Sequence, residues 1–331
     1  MALTRRDVLA GTAALPLIAQ LGLRPGTAQA AAAMQIATGV DPGFAPFYLL
    51  SQTDIMKKRG VEVAVTTGPS GGAAVPFVIG GQANAAMASS LPGIRTHLIS
   101  PKVVCVAQMV SYDQYFGIVS VKEVRSLKDL AGKKIGVETG SASEMMWRRA
   151  LEHEKLDPKD FAAGIGPIEP PEMIAALERG QIDAFSCWEP WLTRAVLKLP
   201  NAKILLTNEH IFQDVGYVYM NRDWIEANKK ESLAFMGGLH DAYMMIKNEP
   251  DTVLKIIVEY LKLPEPLVKE LMTKVTFSYK LDQQSYNQSK AVVGAMLADG
   301  RLKKPFDFKA WFYPELMAKV DPKAVSLPAN M

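Results

Sequence analysis

Ile135-Gly136-Val137-Glu138-Thr139-Gly140-Ser141-Ala142-Ser143-Glu144-Met145-Met146-Trp147 is the stretch on which the reading of the fold turns. Ile135–Glu138 is a short apolar strand, Gly140–Ser143 a turn, and Met145–His153 a helix by the spacing of its apolar residues. Ser141 stands at the N-cap position and Glu144 at N3, the pattern of a capping box. A strand that runs directly into a helix is the repeating unit of an α/β fold.

The unit recurs on both sides. Upstream, Met34–Gly39, Val61–Thr67, Ala83–Ala88 and Val103–Met109 read as strands, with helices at Phe44–Lys58, through Val75–Ile79 and at Leu91–Ile99. Downstream, Tyr115–Val119, Asp183–Cys187, Ile204–Thr207 and Gly216–Met220 read as strands, with helices at Pro171–Arg179 and Pro190–Leu197. Beyond Trp224 the pattern is almost wholly helical. About 300 residues exceed what one core comfortably holds, so two lobes with mainly parallel sheets and a cleft between them are expected. Residues 34–112 would begin lobe 1, 113–214 form lobe 2, and 215–310 return to lobe 1 with a helical tail. Residues 311–331, with Pro314, Pro322 and Pro328, would be a C-terminal surface tail.

Residues 1–30 read as an address to be set apart from the fold. Arg5-Arg6 precede a mild apolar stretch from Val8 to Leu23, and Ala28-Gln29-Ala30 offers a small-residue cleavage pattern. This is the form of a twin-arginine export signal. No cysteine lies near the cut to accept a lipid, so a freely soluble periplasmic chain is expected. The net charge of +3 falls to +1 once Arg5, Arg6 and Arg24 are removed with Asp7, which leaves no electrostatic footprint for nucleic acid. Cys105 and Cys187 sit in apolar, strand-like runs and read as separate buried thiols. The four histidines have no zinc-site spacing, so neither a metal nor another cofactor is expected.

In open α/β sheets, ligands bind beyond the carboxyl ends of strands. Four segments hold that position: Asp41 to Pro46, Ser89 to Gly93, Gly140 to Glu144, and Trp188 to Trp191. Phe44 and Ala45 lie at a helix start where a ligand can touch them, next to Gly43. Gly140, Ser141 and Ser143 open a helix whose free N–H groups suit an anionic oxygen. Ser89 and Ser90 offer donors at a second helix start. Tyr112–Tyr115 and Asp214–Tyr217 flank the stretches that cross between lobes, which would turn Tyr115, Asp214 and Tyr217 toward the cleft. Among these loops acids outnumber bases, with Asp41, Asp113, Glu144, Glu189 and Asp214 against Arg95 and Arg194. A zwitterion or a nitrogen heterocycle therefore fits better than a bare inorganic anion.

Three further segments carry a resemblance when taken in order and spacing. They are Leu127-Lys128-Asp129-Leu130-Ala131-Gly132-Lys133-Lys134-Ile135-Gly136-Val137, then Gly140-Ser141-Ala142-Ser143, then Ala175-Ala176-Leu177 through Gly180-Gln181-Ile182-Asp183-Ala184 into Trp188-Glu189-Pro190. Over about residues 34–310 the chain resembles the periplasmic binding proteins of nitrate, taurine and alkanesulfonate importers, which include binders of thiamine pyrimidine precursors. The resemblance implies a two-lobed periplasmic-binding-protein fold of type II. It further implies a monomer that hands a small molecule to an ABC permease and its ATPase without itself entering the membrane. It also places Trp188 as a stacking wall and Glu189 as a polar contact of the cleft. The expected ligand is a sulfonate or taurine-like zwitterion, with a nitrogen heterocycle such as a thiamine pyrimidine precursor as the alternative. An exported ligand-sensing subunit would use the same pocket. An enzyme is not expected: the chain has no nucleophile elbow, and no histidine–cysteine cluster of the kind that enzymes resembling this fold use.

Overall fold

The computed structural model describes residues 33–331, and the export signal read in residues 1–30 lies outside them. Four strands come first: β1 (Met34–Thr38), β2 (Val63–Thr67), β3 (Ala85–Ser89) and β4 (Val103–Tyr112). Five follow: β5 (Phe116–Val121), β6 (Ile135–Val137), β7 (Ile165–Pro167), β8 (Ala184–Trp188) and β9 (Ala202–Thr207). The last are β10 (Asp214–Asn221), β11 (Val275–Asp282) and β12 (Val325–Ser326). They form a seven-stranded sheet in the order β12-β11-β4-β10-β3-β1-β2 and a five-stranded sheet in the order β7-β6-β8-β5-β9.

Both sheets are mixed, which corrects the expectation of mainly parallel ones. β1 pairs parallel with β2 and β3, and β6 with β7 and β8. β10, however, inserts antiparallel between β3 and β4, and β5 antiparallel between β8 and β9. The cause is the route of the chain. It leaves β4 at Tyr112 and enters β5 at Phe116, then leaves β9 at Thr207 and enters β10 at Asp214. Each returning strand starts at the end where the βα strands stop, and so runs against them. The carboxyl ends of β1, β3, β6 and β8 thus face one cleft, as the ligand rule for α/β sheets requires.

Asn208 ties the two crossings together. Its Oδ1 accepts the N–H groups of Tyr115 and Phe116, both at 2.9 Å, and its Nδ2 donates to the carbonyl of Phe212 at 3.0 Å. The side chain is buried, so these bonds replace water the amide has lost. Cys105 and Cys187 are both buried and unpaired. No helix among the described residues is long and apolar enough to cross a membrane.

Two parts of the chain differ from the sequence reading. β11 interrupts the helical region after Trp224, and it pairs antiparallel with β4. The C-terminal segment is not a surface tail: Trp311 is fully buried and Phe312 is 2% exposed. The Trp311 ring meets Phe312 at 4.6 Å, Tyr217 at 5.5 Å and Phe306 at 5.8 Å between centroids. The N–H of Tyr313 donates to the carbonyl of Cys105 at 2.8 Å, and β12 pairs parallel with β11. Its apolar side chains fill the large sheet's outer layer, and the prolines only set the turns between them. Trp311→Ala is expected to lower the free energy of unfolding by about 3–5 kcal/mol. Urea denaturation followed by circular dichroism measures it, and a loss near zero would return the segment to the surface.

Candidate functional site

The loops after the strands enclose two adjoining cavities that share Gly72, Pro92 and Ser141. The inner one measures about 30 Å³, and one water needs roughly 10–15 Å³ on that scale. The side chains of the cleft therefore nearly fill it. The outer one measures about 470 Å³ and opens past Arg95, Glu138 and Glu169.

Five of the residues expected at the site do line the inner cavity. Phe44 comes from the loop after β1, Ser89 from the end of β3, and Tyr115 from the first crossing. Ser141 caps the helix Ala142–His153, and Trp188 ends β8. Asp41 and Tyr112, read from the sequence only as parts of the surrounding loops, line it as well, and Ser70 and Phe116 are among the linings that the sequence reading did not name. Ser70 and the adjoining Gly71 follow β2 as the others follow their strands, so the same rule finds them. A Cβ on Gly71 would stand 2.7 Å from the Met87 carbonyl oxygen, and only glycine lets this loop lie against β3.

Asp41 dominates the electrostatics. Its Oδ1 accepts the Tyr115 hydroxyl at 2.8 Å and the Gly43 N–H at 2.9 Å, and both bonds fall on the same oxygen. Burial pushes its carboxyl up to about 7, against the lowering effect of those two bonds. The Tyr48 hydroxyl holds the loop from behind, donating to the Gly39 carbonyl at 2.8 Å and accepting the Asp41 N–H at 3.2 Å. No lysine or arginine lines the inner cavity.

The other expected residues do not line the inner cavity. Ala45 is fully buried in the helix Ala45–Gln52. Ser90 gives its hydroxyl to Asp214 Oδ1 at 3.1 Å, and Asp214 lies beneath that helix start, its carboxyl pushed up to about 6 by burial. Ser143 donates to the Ser186 carbonyl at 2.5 Å and accepts the Glu138 N–H at 3.1 Å, so it fastens its helix to β8. Tyr217 points away from the cleft and donates to the Ser285 carbonyl at 2.6 Å. Gly140 lines the outer cavity only, at a φ of +82° against the Arg95 guanidinium.

Glu144 does not close a capping box. Ser141 Oγ accepts the N–H of Ser143, and Glu144 Oε2 accepts that of Gly140 at 2.7 Å. Its other oxygen meets Arg148 at 2.7 Å and Arg301 at 2.9 Å, and both arginines also reach Asp299. This four-charge group joins the helix of the small-sheet lobe to the chain that follows Gln283–Ala298. Its bonds use up the acid that had been counted into the cleft.

Glu189 is likewise withdrawn. It is fully buried, pairs with Lys274 at 2.8 Å, and accepts the N–H and hydroxyl of Thr193 at 3.1 and 3.0 Å. Glu189 lies in the turn just past β8, and Lys274 and Thr193 hold its side chain away from the cavity that Trp188 lines.

The sequence model of the family described as NMT1/THI5 like matches residues 41–253. The chain belongs to the NMT1/THI5-like family. The taurine-binding periplasmic protein of Escherichia coli K12 is 29% identical over 171 residues, covering 47% of this chain and 51% of that protein. The match spans 64% of the length of a putative binding protein of Brucella abortus strain 2308, 23% identical, and so less than two thirds of that relative. Among solved structures, the alkanesulfonate-binding protein SsuA of Xanthomonas axonopodis pv. citri, bound to MOPS, superposes with a TM-score of 0.72. It is 19% identical and covers 90% of this chain and 99% of that one. The desulfurization enzyme DszB superposes with a TM-score of 0.67 at 16% identity, covering 88% of this chain and 99% of its own. These structures establish the two-lobed periplasmic-binding-protein fold, which carries both a binder and an enzyme.

Lys274→Met would leave the Glu189 carboxylate buried without its counter-charge. The expected loss of stability is about 3–5 kcal/mol, read from urea unfolding followed by tryptophan fluorescence. A loss below about 1 kcal/mol would mean that Glu189 is free to turn into the cleft, as the sequence reading had it.

Proposed function

We propose that this chain is the solute-binding subunit of an ABC importer, exported to the periplasm, and that its ligand is a small zwitterion of the taurine type. The observation that carries the reading is Asp41, a fully buried carboxylate in an aromatic cavity with no lysine or arginine beside it. Such a group is costly to ionise unless a cation or N–H donor joins it. A protonated amine placed at Oδ2 supplies that partner, and the faces of Trp188 and the tyrosines add cation–π attraction. The opposite end of a zwitterion would reach the helix starts at Ser89–Ser90 and Ser141–Ala142, where N–H dipoles favour a sulfonate.

The size of the inner cavity supports a division of the ligand, with the nitrogen end inside and the remainder in the outer cavity. The crossings at 113–115 and 208–213 would be the hinge that admits it, with residues 34–112 and 214–331 in one lobe and 116–207 in the other. A second reading, a nitrogen heterocycle, is favoured by the five aromatic side chains that line the inner cavity. The taurine- and alkanesulfonate-binding relatives support a transport role over catalysis. Family membership supports neither of the two ligands over the other.

The proton on Asp41 gives the test. A carboxyl whose folded value lies near 7, above its ordinary 3.8, stabilises the empty fold at low pH and loses that contribution as pH rises through 7. A cationic ligand needs the ionised form. Affinity for taurine is therefore expected to fall by up to about tenfold per pH unit below 7. Asp41→Asn should weaken binding at least tenfold at pH 8 and flatten the profile. Titration calorimetry between pH 5.5 and 8 measures both. A flat wild-type profile, or tight binding of ethanesulfonate alone, would overturn the reading.

A further inference from the structure

Glu138 follows β6 at the boundary between the two cavities. Its Oε1 accepts the hydroxyl of Ser70 at 2.7 Å. Ser70 belongs to the large-sheet lobe and lines the inner cavity, whereas Glu138 belongs to the small-sheet lobe. Its Oε2 is buried and has no hydrogen-bond partner, although the residue as a whole is only 8% exposed. A buried carboxylate oxygen without a donor is expensive to maintain, and the hydroxyls of Ser70 and Ser141 offset the burial of this carboxyl only in part. The nearest acids on the outer wall, Glu169 and Glu172, add to the negative side, against the one guanidinium of Arg95.

We propose that Glu138 is a specificity-determining residue which, with Asp41, selects a ligand whose cationic end is a planar nitrogen group with several donors, of the amidinium or guanidinium type. The inference rests on the reading of the cleft as a site for a nitrogen-bearing ligand and narrows it. An ammonium presents a compact point charge. A guanidinium presents N–H groups along its edges and two faces that stack on aromatic rings. Two carboxylates from opposite lobes, with aromatic side chains around them, match the second shape. One edge would meet Asp41 Oδ2, another would meet Glu138 Oε2, and the faces would lie against rings such as Trp188 and Tyr115. Because Glu138 is tethered across the cleft by Ser70, the same contact would form only when the lobes are together. Burial also raises the Glu138 carboxyl above its ordinary range, Ser70 offsetting this in part, so a bound cation would hold it ionised.

The test compares three sulfonates that differ at one end: ethanesulfonate, taurine and 2-guanidinoethanesulfonate, titrated calorimetrically into the full chain at pH 8. The wild type is expected to bind the guanidino compound about tenfold more tightly than taurine, the worth of one charge-assisted hydrogen bond. Glu138→Gln should remove that tenfold preference by weakening the guanidino compound about tenfold more than it weakens taurine. Ser70→Ala keeps the carboxylate and removes its tether, and should narrow the preference in the same direction. It also serves if the glutamine variant folds poorly. A guanidino preference that survives both substitutions overturns the role of Glu138. A wild type that binds taurine but shows no guanidino preference does the same and leaves the zwitterion reading intact. A wild type that takes only ethanesulfonate overturns both.

Discussion

The buried hydrogen bond from the Tyr115 hydroxyl to Asp41 Oδ1, 2.8 Å long, is the contact around which the rest of this molecule is arranged. It joins the loop after the first strand to the first crossing between the sheets. Asp41 can occupy that place only because its loop is shaped for it. Pro42 and Gly43 begin a tight turn whose N–H the carboxylate caps, and Tyr48 closes the loop from the core side. Tyr115 in turn is held by Asn208, which binds the second crossing as well. A change in how the lobes meet is thereby passed to the one carboxylate the inner cavity contains.

That arrangement explains an oddity of composition. The chain is close to neutral, yet the groups around its cleft are mostly acidic. Many acids near the cleft are neutralised within the fold: Glu189 by Lys274, and Glu144 by Arg148 and Arg301. Asp41 and Glu138 have no such counter-charge, and neither has Asp214, which Ser90 and its own backbone hold. Burial raises both Asp41 and Glu138, and Oε2 of Glu138 is buried with no hydrogen bond from the protein. The contrast between matched and unmatched carboxylates in one region separates ligand chemistry from structural chemistry here.

Much of this was legible in the sequence. Phe44, Ser89, Ser141 and Trp188 each stand where a strand gives way to a helix, and a local rule is enough to find them. Glu189 passed the same rule, and Asp214 and Tyr217 were expected in the cleft because they flank a crossing, but all three turn elsewhere. Each has a partner distant in sequence, Lys274 for Glu189, Ser90 for Asp214 and the Ser285 carbonyl for Tyr217, that holds it inside the fold. Charge counting misled for a related reason, since the partners Lys274 and Arg301 lie 85 and 157 residues from the acids they neutralise. β11 was hidden between two helices although Val275, Phe277, Tyr279 and Leu281 alternate. Trp311 looked like part of a proline-rich tail because its partners, Tyr217 and Phe306, are brought to it only by the completed sheet.

The account stands or falls on what meets Asp41. A crystal structure of the chain with its ligand bound, taken from protein purified without denaturation, tests this most directly. The prediction is a ligand nitrogen within about 3 Å of Asp41 Oδ2, with the aromatic side chains closed around it. A ligand oxygen or an apolar group in that position, or a ligand held outside the two cavities, would contradict it.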